Sequence, residues 1–473
     1  MSTRHIGYYI HHHGAGHLTR AVQIMRHCRS RVTGLSSLPR PQGWVGPWIE
    51  LPRDDVPEAP GDLAPWPDTD AGGVLHWAPL GPGGYRDRMG IVADWLSCHR
   101  PDLLVVDVSA EVTLLARLLG VRVAVAAMRG DRTDRAHEAS YDVAHLLLAP
   151  WPARPRRASE PGWPARWMTK TVYTGGISRF DDRIVRPGSA EPERPARRVG
   201  DPLVSVLWGR GGGAWTPAQR LDAQEATPGW RWETAGQDRD VWSSMSAADV
   251  VISHAGQNAV AEVAAARRPA VVIALPRPHA EQVATARALA AADLAATCVG
   301  LPAAREWPGL LEGARHRDGR AWTRWTDGFG GYRAARAIDA AAAGRALAAR
   351  TAVITLARGR HDHLRGLLRG LAAGTHVPER LIVVALGDPE IAEVCKQVLD
   401  ISDGAITAEC IDLTLDGEQL PLARARNLGA AAAADLGCRT LIFLDVDCIP
   451  ASTLVDTYAS YAGGTGGTGP ASP

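Results

Sequence analysis

Short, uninterrupted apolar runs recur along the chain, each ending at a small-residue turn and followed by a helical stretch. The clearest are Ile6 to Ile10, Leu103 to Val106, Arg122 to Ala127, Leu203 to Leu207, Val250 to Ser253, Ala270 to Leu275, Ala352 to Leu356, Leu381 to Leu386 and Thr440 to Leu444. Runs of about four to eight residues without polar alternation read as strands buried on both faces, the habit of parallel sheets. Between them the pattern predicts helices over Leu18 to Arg29, Tyr85 to His99, Glu111 to Leu119, Ala259 to Ala266 and Gly331 to Ala349, the last expected to close the second domain. Strands alternating with helices place the chain in the α/β class.

The stretch Val251 to Gln282 carries the most chemistry. A buried strand stops at His254-Ala255-Gly256-Gln257-Asn258, and a helix opens with Glu262 one turn inside it. Such a helix N-terminus offers unpaired N–H groups and the positive end of a dipole, a seat for a diphosphate. Gly256 lets the backbone approach the anion, Glu262 is placed to accept from ribose hydroxyls, and Glu281 with Gln282 leaves the next strand on the same side, toward sugar hydroxyls. The bland reading, an ordinary strand–helix–strand unit with His254 as a turn residue, has to account for four features at one spacing.

His254-x-Gly256-x-Asn258-x-x-x-Glu262, followed by Glu281-Gln282, resembles the donor-binding signature of nucleotide-sugar glycosyltransferases of the GT-B fold, both plant-type enzymes and family 28. That resemblance implies contact of the diphosphate with His254 and the turn residues, of the ribose with Glu262, and of the donor sugar with Glu281 and Gln282. Gly14-x-Gly16-His17-x-x-Arg20 is similar to the first loop of the same families, where a Gly-His pair opens the acceptor cleft. By that resemblance His17 is the base for the acceptor hydroxyl and Asp107, at the end of its strand, orients the ring. The competing readings are a backbone-bonding residue at a helix start for His17 and a structural carboxylate for Asp107. Trp208-Gly209-Arg210-Gly211-Gly212-Gly213 is a strand running into a Gly-rich loop, of the kind that meets a diphosphate; a plain surface loop fits equally well.

From Ala352 the sequence changes character. Pro421-Leu422-Ala423-Arg424-Ala425-Arg426-Asn427-Leu428-Gly429 opens a helix, and the next strand ends in Asp445-Val446-Asp447. The A-R-N-x-G helix before D-x-D resembles the nucleotide-binding half of a family 2 glycosyltransferase of the GT-A fold. In that family the two carboxylates hold Mg²⁺ or Mn²⁺ against the donor diphosphate, and hard oxygen ligands suit those ions. The acceptor half does not follow. The expected organisation is 1–175 and 176–350 as the two Rossmann-like domains of a GT-B pair, 351–462 as a partial GT-A module, and 463–473 as a disordered Gly-rich tail.

Composition narrows the partners. The 52 basic and 51 acidic residues nearly cancel, so no nucleic-acid partner is implied. Lysine occurs only at Lys170 and Lys396, and the 7 cysteines are scattered without a C-x-x-C, which argues for free thiols in a reducing compartment. No apolar run reaches membrane-spanning length and the N-terminus lacks a signal-peptide core, so a bacterial cytoplasmic protein is expected. His11-His12-His13 raises a metal tract, without identifiable further ligands. Trp44, Trp48, Trp66 and Trp77 lie in Pro- and Gly-broken segments; loop packing is the simpler reading. Sugar stacking or contact with the inner face of the membrane is the alternative, and it tilts the expected acceptor toward one at the membrane surface.

Taken together, the resemblance implies transfer of a sugar from a nucleotide-sugar, UDP by family default, to a hydroxyl on a saccharide, lipid-linked or small-molecule acceptor, with inversion and with no metal in the GT-B pair. Two alternatives stand beside it. One is a non-transferring enzyme of the same fold, such as a UDP-N-acetylglucosamine 2-epimerase, for which no additional carboxylates are apparent. The other is a nucleotide-sugar-binding scaffold with an inactive C-terminal module.

Overall fold

The computed structural model describes residues 4–56, 66, 68–152, 163–168, 170–184, 201–209, 215–238, 240–344, 351–372, 378–401, 408–415, 420–436, 438, 440–451, 453–455 and 457–458. They build three parallel sheets. The first has seven strands: β1 (His5–Ile10), β2 (Arg31–Ser36), β3 (Trp48–Glu50), β4 (Leu103–Asp107), β5 (Val123–Ala126), β6 (Leu146–Ala149) and β7 (Thr171–Tyr173), in the order β3-β2-β1-β4-β5-β6-β7. The second has β8 (Leu203–Leu207), β9 (Arg231–Thr234), β10 (Val250–His254), β11 (Ala270–Ala274) and β12 (Ala296–Val299), ordered β12-β11-β10-β8-β9. The third has β13 (Thr351–Ala357), β14 (Arg380–Leu386), β15 (Ala408–Leu413) and β16 (Thr440–Phe443), ordered β15-β14-β13-β16. One compact unit carries the first two sheets and a second unit carries the third.

Apart from Thr440 to Leu444, which became the edge strand β16, the apolar runs became inner strands, fully buried along β4, β5, β8, β10 and β11. All strand pairings are parallel, with β1 in register against β4 so that Ile10 faces Asp107. In each sheet the order reverses beside its first strand, between β1 and β4, β8 and β10, or β13 and β16. Ligands of open α/β sheets bind beyond the strand C-termini at such switch points. Strands β9, β12 and β15 carry no continuous apolar run, because each lies at a sheet edge and exposes part of its length.

One expectation is corrected here. The helix predicted to close the second domain spans Gly330–Ala342 and packs on the first sheet's first helix, Ala15–Met25, and on β4. A side chain at Gly331 would approach the carbonyl oxygen of Gln23 to 2.7 Å, so glycine permits the close helix contact. Asp339 then accepts from the backbone N–H of Arg29 at 2.9 Å and from the Ser30 hydroxyl at 2.7 Å. The Ala-rich face is complementary to a helix, and only the tertiary path of the chain chose which one. Of the tryptophans of the early segments, Trp44 is buried, Trp48 lies over Gly34, and Trp77 Nε1 donates to the Asp54 carbonyl.

The connector from the first to the second sheet is stitched by Thr326, whose hydroxyl donates to the Gly176 carbonyl, and by Arg129, whose guanidinium lies between the rings of Trp151 and Trp325 at 4.9 and 5.3 Å. Asp181 sits in this connector with one carboxylate oxygen accepting from Ser178 N–H and the other buried without a hydrogen-bond partner among the described residues. Burial pushes its carboxyl up to about 7. Folded Asp181 therefore keeps its proton where the unfolded carboxyl, near 3.9, has lost it. Its contribution falls as pH rises from about 4 to about 7. Asp181→Asn, which preserves the Ser178 contact, is expected to exceed wild type in stability by about 2–4 kcal/mol at pH 8 and to converge with it below about pH 4. Thermal melts across that range check it: an offset that does not change with pH, or one that shrinks as pH rises, would overturn the assignment.

The third sheet is covered on both faces by its own helices. Helices His361–Ala372 and Glu390–Ile401 share one core with Val353, Leu381, Val383 and Ile442. The helix Leu422–Asp435 covers the other face, with Gly429 seated where an added carbon would meet Ile354 at 2.6 Å. The Gly-rich tail 463–473 lies outside the described residues.

Candidate active site between the first two sheets

At the switch point of the first sheet, β1 runs into Gly14, which has φ +90°, and the helix Ala15–Met25 starts with no side chain capping it. His17 stands in its first turn. Its Nδ1 lies 2.9 Å from Oδ1 of Asp107, at the C-terminus of β4, where the carboxylate is 0% exposed. Arg20 NH2 stands 3.2 Å from the same nitrogen, and donation from Nδ1–H to the carboxylate leaves Nε2 of the 18% exposed ring as an acceptor without a partner among the described residues. Burial pushes the Asp107 carboxyl up, but Arg20 and His17 outweigh it and hold it at about 2. Arg20, also buried, reaches Asp107 with Nε at 3.3 Å and NH2 at 2.5 Å. One turn apart on a helix, His17 and Arg20 share a face, which is why one carboxylate serves both. Arg20 belongs to the Gly14-x-Gly16-His17-x-x-Arg20 motif, and its contact with Asp107 appears only in the fold.

Arg20 also ties the two sheets together. Its NH1 donates to Oε1 of Gln257 at 2.8 Å, and Asn258 Nδ2 donates to the carbonyl of Gly16 at 2.9 Å. Gln257 and Asn258 belong to the first turn of the helix Gln257–Ala266, which begins two residues earlier than its apolar pattern suggested. No side chain caps that helix, so its first N–H groups are available to an anion. Gln257 Nε2 is buried and makes no hydrogen bond among the described residues, a second donor at the same place.

His254 ends β10 with its ring buried. Burial, reinforced by Arg277, lowers its pKa to about 4. The Gly256 N–H donates to its Nδ1 at 3.1 Å, so the neutral ring carries its proton on Nε2 and can donate from there. Gly256 has an ordinary φ of −72°. An added carbon would stand 2.6 Å from the His254 ring. Gly209 ends the described part of the loop after β8; Gly211 and Gly212 lie outside the described residues.

The residues expected at the ribose and sugar are already engaged. Both oxygens of Glu262 meet Arg179, at 3.0 and 3.1 Å, while burial raises its carboxyl against the pull of that arginine. Gln282 is buried with Oε1 accepting from Leu275 N–H at 3.0 Å, closing the end of β11. Glu281 starts the helix Glu281–Ala291 and lies 3.5 Å from Arg132. Next to it His279, His76, Asp134 and His137 converge. None of these four was singled out in the sequence, since they come from three distant segments without a shared motif.

In the other compact unit Asp445 and Asp447 follow β16, both exposed. Asp447 is 2.7 Å from Arg360 and Asp445 is 3.7 Å from Arg426. As donors, two exposed carboxylates fit a hard divalent ion, which would share them with these guanidinium groups. Among the described residues no helix is long and apolar enough to cross a membrane.

No curated protein sequence matches the chain. Among solved structures it is similar to MurG of Acinetobacter baumannii, at 15% identity over 68% of this chain and 97% of that one, with a TM-score of 0.41. It is similar to a UDP-glucosyltransferase of Polygonum tinctorium at 14% identity, over 72% of this chain and 99% of that one, with a TM-score of 0.47. It is also similar to the calicheamicin glycosyltransferase, at 13% identity over 73% and 97%, with a TM-score of 0.45. None of these likenesses is close enough to define an activity. The family comparison is more local: residues 233–300, which contain His254, Gly256, Gln257, Asn258, Glu262, Glu281 and Gln282, match the glycosyltransferase family 28 C-terminal domain.

Proposed function

We propose that the unit carrying the first two sheets is a GT-B glycosyltransferase that moves a sugar from a UDP-sugar to a hydroxyl acceptor with inversion. The observation that carries this reading is the continuous network His17–Asp107–Arg20–Gln257. It joins a histidine with a free Nε2 to the uncapped start of a helix in the segment matched to family 28. In the reaction, His17 Nε2 takes the acceptor proton as the acceptor oxygen attacks the anomeric carbon. The bond from that carbon to the diphosphate breaks, and its electron pair leaves with the diphosphate. Asp107 stabilises the imidazolium that forms, while the helix N–H groups and His254 Nε2–H receive the growing charge. No metal takes part in this step.

The C-terminal unit is proposed as a partial GT-A module in which Asp445 and Asp447 hold Mg²⁺ or Mn²⁺. Such an ion would neutralise a diphosphate there. Under a binding-only reading UDP-sugars bind and nothing is released. The test is UDP release from a panel of UDP-sugars with hydroxyl acceptors. Release is expected to persist within about twofold in Asp445→Ala/Asp447→Ala. Loss of release in that variant, with persistence in His17→Ala, would move the chemistry to the C-terminal unit.

A further inference from the structure

We infer that His76, Asp134, His137 and His279 form a binding site for a divalent transition ion of the Zn²⁺ class, pinning the loop that precedes Glu281. Their ligand atoms all lie within 4.8 Å of one another. His137 Nδ1 is 2.6 Å and His76 Nε2 3.1 Å from Asp134, His279 Nδ1 is 3.4 Å from it, and His76 Nε2 is 2.9 Å from His137 Nδ1. A tetrahedral Zn²⁺ with ligand bonds of about 2.0–2.1 Å needs ligand atoms about 3.3 Å apart, so the closest contact must open by about 0.7 Å and pairs still up to 4.8 Å apart must close on the ion by side-chain rotation. Three imidazoles and one carboxylate prefer Zn²⁺, Co²⁺ or Ni²⁺ over Mg²⁺ or Ca²⁺.

The protonation pattern points the same way. Two imidazole nitrogens at 2.9 Å, both turned to one carboxylate, cannot both carry a proton toward each other. Four lone pairs around one cation remove the conflict. Arg132 NH1 stands 3.1 Å from His137 Nε2, the nitrogen that must hold the proton once Nδ1 binds metal. That contact is given up, while Arg132 NH2 keeps the Arg129 carbonyl at 2.9 Å and Glu281 at 3.5 Å.

The backbone supports the cluster from both sheets. Asp134 caps the helix Arg135–Val143 by accepting from His137 N–H, which sets Asp134 and His137 one turn apart. His279 and Ala280 both adopt left-handed φ, +59° and +52°, and the His279 carbonyl accepts from Asp131 N–H at 2.8 Å. Two strained residues directly before Glu281 are held there by this junction. A metal would lock it further. The inference does not depend on sugar transfer, and it departs from the metal-free expectation for this part of the chain.

The test uses the full chain, stripped with EDTA and desalted, titrated with ZnCl₂ by calorimetry and with Co²⁺ by visible absorption. One ion per chain is expected, with the intense bands of tetrahedral Co²⁺. Affinity should fall by more than about 100-fold in His76→Ala/His279→Ala, beyond the effect of outer-shell changes, and stay unchanged in His13→Ala. Asp134→Asn, which retains the helix cap, guards against misfolding of the double variant and should also weaken binding. Zn²⁺ binding that survives in both variants, or no saturable binding by wild type, overturns the site.

Discussion

In the His17→Ala variant, turnover of a UDP-sugar is expected to fall by about 10²–10⁴-fold, the range for losing a positioned general base. Donor affinity should stay within about twofold, because the donor-side groups are on the other sheet. The ring is partly exposed and gives up only its contacts with Asp107 and Arg20, so the fold should survive; Asp107 keeps Arg20 as its partner. Initial rates and donor titration by calorimetry on the same preparation separate the two effects. Unchanged turnover would remove His17 from the chemistry. A proportional loss of donor affinity would make it a binding residue instead.

Asp107→Ala should do two kinds of damage. It misorients His17, lowering turnover by a similar factor, and it strands Arg20 at a position only 4% exposed. Removing one partner of a buried ion pair costs about 3–5 kcal/mol. The sign with pH follows from the carboxyl being held at about 2 against about 3.9 unfolded. Its contribution to stability is complete above about pH 4 and is lost as pH falls through about 2. Denaturant unfolding at pH 7 should therefore separate Asp107→Ala from wild type, and the gap should narrow in acid. His17→Ala should show no comparable loss of stability. If Asp107→Ala is as stable as wild type, Arg20 has another counter-charge and the network is misassigned.

How much of this was legible depended on how each residue came to its place. The parallel strands could be read because both faces of β4, β10 and β11 are buried, so polar residues enter β4 and β10 only at their C-terminal ends and β11 not at all. The pairing of His17 with Asp107 was foreseen through a family resemblance, and the register of β1 against β4 brings them together. Arg20 is different. Its motif position was visible, but the link to Gln257, 237 residues on, requires the second sheet to stand where it does. The partners of Glu262 and Gln282 were hidden for the same reason: Arg179 comes from the connector, and the Leu275 N–H is freed only by the end of β11.

Local sequence by itself determined the βα rhythm, the two glycine-opened helix starts and the carboxylates at strand ends, since each follows from periodicity or turn chemistry within a few residues. Only the tertiary structure decided that the helix Gly330–Ala342 lies on the first sheet and that Gly256 makes room for a histidine ring. It alone brought His76, Asp134, His137 and His279 to one point. Those outcomes depend on contacts between segments up to hundreds of residues apart, and side-chain periodicity carries information about which face is buried but not about what buries it.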